Sequence, residues 1–124
     1  MRVVAVGVNF RDVLNVLGMY PGDPGPPGGD CAGTVARACA RTAALGESVF
    51  GLAAGCLGNY VHAYGDTFAA LPAHLRHEAA ASMPTVFVTV DLALSQAART
   101  RGGERVLVHA AAGGVGVAAT QLAG

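Results

Sequence analysis

Arg105-Val-Leu-Val-His-Ala-Ala-Ala-Gly-Gly-Val-Gly-Val-Ala-Ala-Thr-Gln-Leu-Ala123 is the stretch that decides how this chain is read. Val106, Leu107 and Val108 form a short apolar run of the kind that makes a strand buried on both faces. From Ala110 to Gly116 no side chain is larger than that of Val115, so a backbone or a ligand can approach closely. Val115 to Leu122 then suits a helix with a small-residue face. Strand, glycine turn and helix together make a phosphate cradle, because a helix N-terminus offers unpaired N–H groups and the positive end of its dipole. Two registers are open. Ala111-x-Gly113-x-x-Gly116 puts alanine at the first glycine of G-x-G-x-x-G, whereas Gly114-x-Gly116-x-x-Ala119 fits the G-x-G-x-x-A form. The same spacing also fits a tight turn that holds nothing.

Composition narrows the classes. The chain has 124 residues, is 52% hydrophobic and has zero formal net charge, enough for a core and no electrostatic case for nucleic acid or an anionic membrane. All eight basic residues are arginine, which rules out lysine chemistry within the chain. A mean hydropathy of +0.45 raises the question of a membrane. The uncharged run 106–124 is long enough to span one, but its four glycines, His109 and Gln121 argue against it. No signal peptide is legible, and a cytoplasmic protein is the expectation. Cys31, Cys39 and Cys56 lack metal-like or paired spacing and are expected as small buried residues.

Along the chain, Arg2–Val8 predicts a strand. Asn9 predicts an N-cap, with Asp12 in the first turn, for a helix from Phe10 to about Leu17. Val13, Leu14 and Leu17 recur at helical spacing and are expected to face a core. For Asn9, Arg11 and Asp12, pattern alone favours capping and a surface ion pair. Pro21–Gly29 is a proline- and glycine-rich loop. Strands are expected over Cys31–Cys39, Ser48–Leu52, Asn59–Tyr64 and Thr67–Leu71, with a turn at Gly65-Asp66. Short strands with turns at that frequency describe a small barrel-like β domain. His62, His74 and His77 have no metal-like spacing and are expected in surface or packing roles. Arg76–Ser82 and Thr85–Ala98 predict helices broken at Met83-Pro84, the second with Val86, Val90, Leu94 and Ala97 along one stripe.

Two motifs carry a family resemblance. Val106–Ala123 resembles the cofactor-binding turn of the zinc-free, quinone-reductase-like medium-chain dehydrogenase/reductases, and within them the enoylreductase domains of modular polyketide synthases. Val8-Asn-Phe-Arg-Asp-Val-Leu-Asn-Val-Leu-Gly-Met-Tyr-Pro-Gly22 resembles a second signature of those domains. The resemblance implies an α+β to α/β fold. Residues 1–98 would be a GroES-like β-barrel catalytic portion with linking helices, and 99–124 the start of an incomplete Rossmann domain. It implies NADPH as cofactor, cradled by Ala112, Gly113, Gly114, Val115 and Gly116, with Asn9 and Thr89 near the nicotinamide. Tyr20 is the candidate proton donor.

The substrate implied is an α,β-unsaturated thioester on an acyl carrier protein, with neighbouring synthase domains as partners. A free-standing quinone or enone reductase is the alternative on the same fold, and a non-catalytic truncated remnant a third reading. Gly28-Gly29-Asp30 stands where zinc-dependent relatives carry Gly-His-Glu, so no metal is expected. Departures from the pattern are Asp91-Leu92 in place of a tyrosine pair and a shortened turn over 40–49. The lysine and aspartate that serve proton transfer in related enoylreductases would lie beyond Gly124, and this piece alone is expected to be inactive.

Overall fold

A computed structural model describes residues 1–37 and 43–124. Residues 38–42, and with them Cys39, the end of the expected 31–39 strand and the start of the 40–49 turn, lie outside the described residues. By contact the chain divides into Met1–Pro84 and Thr85–Gly124. The segment Thr85–Ala98 groups by contact with the second of these.

The first unit is built on an antiparallel sheet of β1 (Arg2–Gly7), β2 (Asp30–Thr34), β3 (Ser48–Leu52) and β4 (Phe68–Ala70) in sequential order. β2 pairs with β1 from Arg2↔Thr34 to Gly7↔Asp30, with a bulge between Val3 and Ala5, and with β3 from Asp30↔Leu52 to Thr34↔Ser48. Asn59–Tyr64 contributes a single bridge, Arg2↔Tyr60, rather than the expected strand. Among the described residues the ladder therefore runs as an open four-stranded order.

β2 is the middle of this unit, and its residues explain why. Asp30, Cys31, Ala32 and Gly33 are all buried, and none is larger than an aspartate. Alternation sends Cys31 to one face and Ala32 to the other. On the first face Cys31 packs with Ala53, Cys56 and Val61, flanked by Met1, Val3, Val6 and Phe68. On the second, Ala32 meets Ala80 and Ala81 of α2 (His77–Ala81), flanked by Ala5, Phe50 and Leu71. Alanine against alanine lets a helix lie close on the sheet.

α1 (Phe10–Val16) departs from its expected orientation. The apolar spacing predicted Val13, Leu14 and Leu17 against a core, but no residue of the helix is buried. Phe10 is 75% exposed and Leu17 63%. Its polar residues make the attachment instead. The Arg11 guanidinium donates to the Pro24 carbonyl at 2.6 Å, and the Asn15 amide to the Gly25 carbonyl at 3.0 Å. The helix is thus fastened to the proline-glycine loop by hydrogen bonds, which outrank its apolar periodicity.

In the second unit, α3 (Pro84–Asp91) does not continue to Ala98 as a regular helix. It passes into a π-helical turn over Leu92–Ala97, where the Ala98 N–H reaches back five residues to the Ala93 carbonyl at 2.9 Å. The extra residue rotates the expected stripe out of phase: Val90 is buried while Ala97 is exposed. Val106–Val108 forms no strand and pairs with no described residue, and Leu107 is 81% exposed. α4 (Gly114–Ala123) forms as the sequence predicted. No helix among the described residues is long and apolar enough to cross a membrane.

Val49 sits on β3 at 4% exposure. Val49→Ala removes two buried carbon groups and leaves a small cavity, so it should lower stability by about 2 kcal/mol. Urea denaturation should show a lower midpoint with an unchanged slope.

Candidate functional site

The glycine turn can be built from its backbone. Ala110 takes a left-handed conformation, φ +51°, unusual for a residue with a Cβ. This points its carbonyl at the Gly113 N–H, at 2.9 Å. Gly113 is extended (φ −80°, ψ 165°) and caps α4, its own carbonyl accepting from Val117 N–H at 2.8 Å. Helix geometry then leaves the N–H groups of Gly114, Val115 and Gly116 with no helical acceptor, converging at the positive end of a ten-residue helix.

The structure separates the two glycine registers. A Cβ on Gly116 would collide with the Ala110 carbonyl and lie 2.6 Å from Ala111 Cα, and Gly116 is buried. A Cβ on Gly114 would be 3.7 Å from Val86 Cγ1, an ordinary contact. The glycine needed for close packing is therefore Gly116. That is the third position of Ala111-x-Gly113-x-x-Gly116, where the motif requires the helix to pack closely on the segment that leads into it.

Thr89 belongs to the same unit. It follows Val86 by three residues on α3, one turn further along the face that meets Gly114, and it is exposed. Asp91, flagged from sequence as a departure, is also exposed and accepts a hydrogen bond from the Ser95 hydroxyl at 2.8 Å. Ala112, Gly113, Gly114 and Val115 are exposed around the turn.

Asn9 and Tyr20 belong to the first unit. Asn9 is the N-cap of α1 as expected, and its backbone N–H donates to Asp12 Oδ2 at 2.9 Å. Asp12 Oδ1 accepts from the Gly28 N–H at 2.8 Å, joining the helix start to the glycine loop. The Asn9 side chain turns inward: its Nδ2 donates to Asp30 Oδ2 at 3.0 Å, and Asp30 is 1% exposed. The expected Arg11–Asp12 surface pairing is replaced, since Arg11 lies over the Tyr20 ring, 5.3 Å from its centroid, as well as on Pro24. Asp30 was read from sequence only as the residue standing where zinc-dependent relatives carry glutamate. Its pairing with a residue 21 positions earlier leaves no local signal.

A cavity of about 220 Å³ opens at the end of the sheet near Met1, Val49, Val61 and Phe68, and none of the residues nominated from sequence lines it. Among the described residues no three histidines, cysteines or carboxylates gather as a metal would need.

No protein-family model matches the chain. The spectinabilin polyketide synthase system protein NorB of Streptomyces orinoci is 46% identical over 125 residues, covering 99% of this chain and 6% of that protein. The crystal structure of CurK enoyl reductase superposes with a TM-score of 0.90 at 35% identity, over 99% of this chain and 41% of that one. The quinone oxidoreductase of Thermus thermophilus, solved also as its complex with NADPH, superposes at 0.78 with 38% identity, over 99% of this chain and 40% of that one. The chain thus spans a small part of the synthase and about two fifths of each solved enzyme.

The buried carboxylate gives a direct test of how the first unit is assembled. Asp30→Ala removes the acceptor of the Asn9 amide and should cost about 1–3 kcal/mol. It should lower the urea midpoint of the first unit, read by far-ultraviolet circular dichroism of its sheet.

Proposed function

We propose, for a chain similar from end to end to modular polyketide synthases and built like enoyl and quinone reductases, that it is part of an enoylreductase. The reaction is reduction of an α,β-unsaturated acyl thioester carried on an acyl carrier protein, within an assembly of synthase domains. NADPH supplies the hydride when bound.

The observation that carries this reading is the turn at Gly116, where the backbone is too close for any other residue and the first-turn residues just before it are exposed. That donor set suits a pyrophosphate: Gly113, Gly114, Val115 and Gly116 bring backbone N–H groups, Ala112 a side chain too small to block access, and α4 its dipole. Thr89, one turn beyond the contact with Gly114, presents a hydroxyl for the nicotinamide amide. Asn9, anchored through Asp30, is assigned to the nicotinamide by the family resemblance. Tyr20 delivers the proton to the α-carbon, its ring held under the Arg11 guanidinium. Quinone reduction is the second reading, favoured by the 38% identity to the Thermus enzyme.

Titration of the chain with NADPH, followed by nicotinamide fluorescence, should give saturable binding with a micromolar dissociation constant. Gly116→Val should raise that constant at least about tenfold, a loss of ~1.4 kcal/mol. Absence of saturation by the unaltered chain would overturn cofactor binding and leave a non-catalytic piece. With the full synthase, turnover of a crotonyl-pantetheine thioester in preference to a quinone is expected, and the reverse preference would decide for the second reading.

A further inference from the structure

The sequence offers three cysteines with no pairing signal, but the fold brings two of them together. Cys31 on β2 and Cys56 in the loop after β3 are both fully buried in one apolar cluster. The loop is held against the glycine-rich segment by backbone bonds, Ala53 N–H to the Gly29 carbonyl at 2.8 Å and Gly55 N–H to the Gly28 carbonyl at 2.9 Å. Gly28 is left-handed at φ +90°, and a Cβ there would lie 3.0 Å from Cys56 Sγ. The second sulfur is thereby fixed from behind. Cys56 also donates to the Asp30 carbonyl at 3.4 Å.

We propose that Cys31 and Cys56 form an oxidisable dithiol that closes to an intramolecular disulfide in the presence of hydrogen peroxide. Two thiols in one buried cluster need only a short approach of their sulfurs, and the surrounding apolar side chains keep competing thiols away. The interaction between the two side chains holds the Cys56 thiol below its ordinary range and raises that of Cys31, which burial pushes up further. Cys56 is therefore the attacking group. Its thiolate attacks one peroxide oxygen, the O–O bond breaks, and a sulfenic acid forms with release of hydroxide. The Cys31 sulfur then attacks the Cys56 sulfur, the S–S bond forms and a second hydroxide leaves. The two thiol protons convert both hydroxides to water. One peroxide is reduced, and the pair of sulfurs gives up two electrons. Closure draws the Cys56 thiol off the Asp30 carbonyl, on the residue whose side chain holds Asn9.

The native chain should be treated with equimolar hydrogen peroxide, alkylated, digested and analysed by mass spectrometry. The expected product is a Cys31–Cys56 linked peptide pair, lighter by two hydrogens and returned to free thiols by dithiothreitol. In Cys39→Ser, the two remaining thiols should disappear together. Linkage to Cys39, sulfinic acid at Cys56 with Cys31 still alkylatable, or thiol loss only in urea would each overturn the proposal. The measurement on the unaltered chain stands independently of whether the variant folds.

Discussion

The first unit depends on how little side-chain volume β2 carries. A strand with a partner on each edge and packing on each face has room for small residues only, and Asp30-Cys-Ala-Gly33 supplies them. Ala32 lets α2 settle on one face, and Cys31 closes the other with Cys56 and Val61. The strand's one charged residue lies at its start and is buried, which is tolerable because Asn9 donates to it. That hydrogen bond also fixes where α1 begins. Sheet, helix and glycine loop are therefore joined through one strand of five residues.

Much of this was legible beforehand because it is local. β3 occupies the residues that its Val-Phe-Gly-Leu pattern predicted, Asn9 caps α1, and α4 follows its glycines. What escaped the sequence is long-range or depends on competition. The spacing of Val13, Leu14 and Leu17 is a sound helical signal, but it cannot show that Arg11, Asp12 and Asn15 have better partners in the loop 24–28. The run Val106–Val108 has strand composition, and composition cannot supply a ladder. The extra residue in the turn 92–97 has no marker in an ordinary stretch, Leu-Ala-Leu-Ser-Gln-Ala.

The candidate site was legible in kind more than in arrangement. Two glycine registers were open, and backbone proximity at Gly116 distinguishes them, a quantity that no spacing rule contains. Thr89 was nominated by resemblance, and its helix is the one that meets Gly114 through Val86. For Asn9, pattern predicts capping and the resemblance implies a place near the nicotinamide. Its backbone caps α1 while its amide is held by Asp30, so one residue does the structural work through two different groups.

The π-turn after α3 bears on how this segment tolerates change in length. Such a turn is an α-helix accommodating one surplus residue. Deleting a single position between 92 and 97 would let the backbone revert to regular i→i−4 bonding, whereas the same deletion within α3 would break the phase that buries Val90. Thr100 closes the segment by spending both its N–H and its hydroxyl on the Leu94 carbonyl, each at 2.9 Å. Among homologous genes, one-codon gaps should therefore collect in this short window and be purged from the helix just before it.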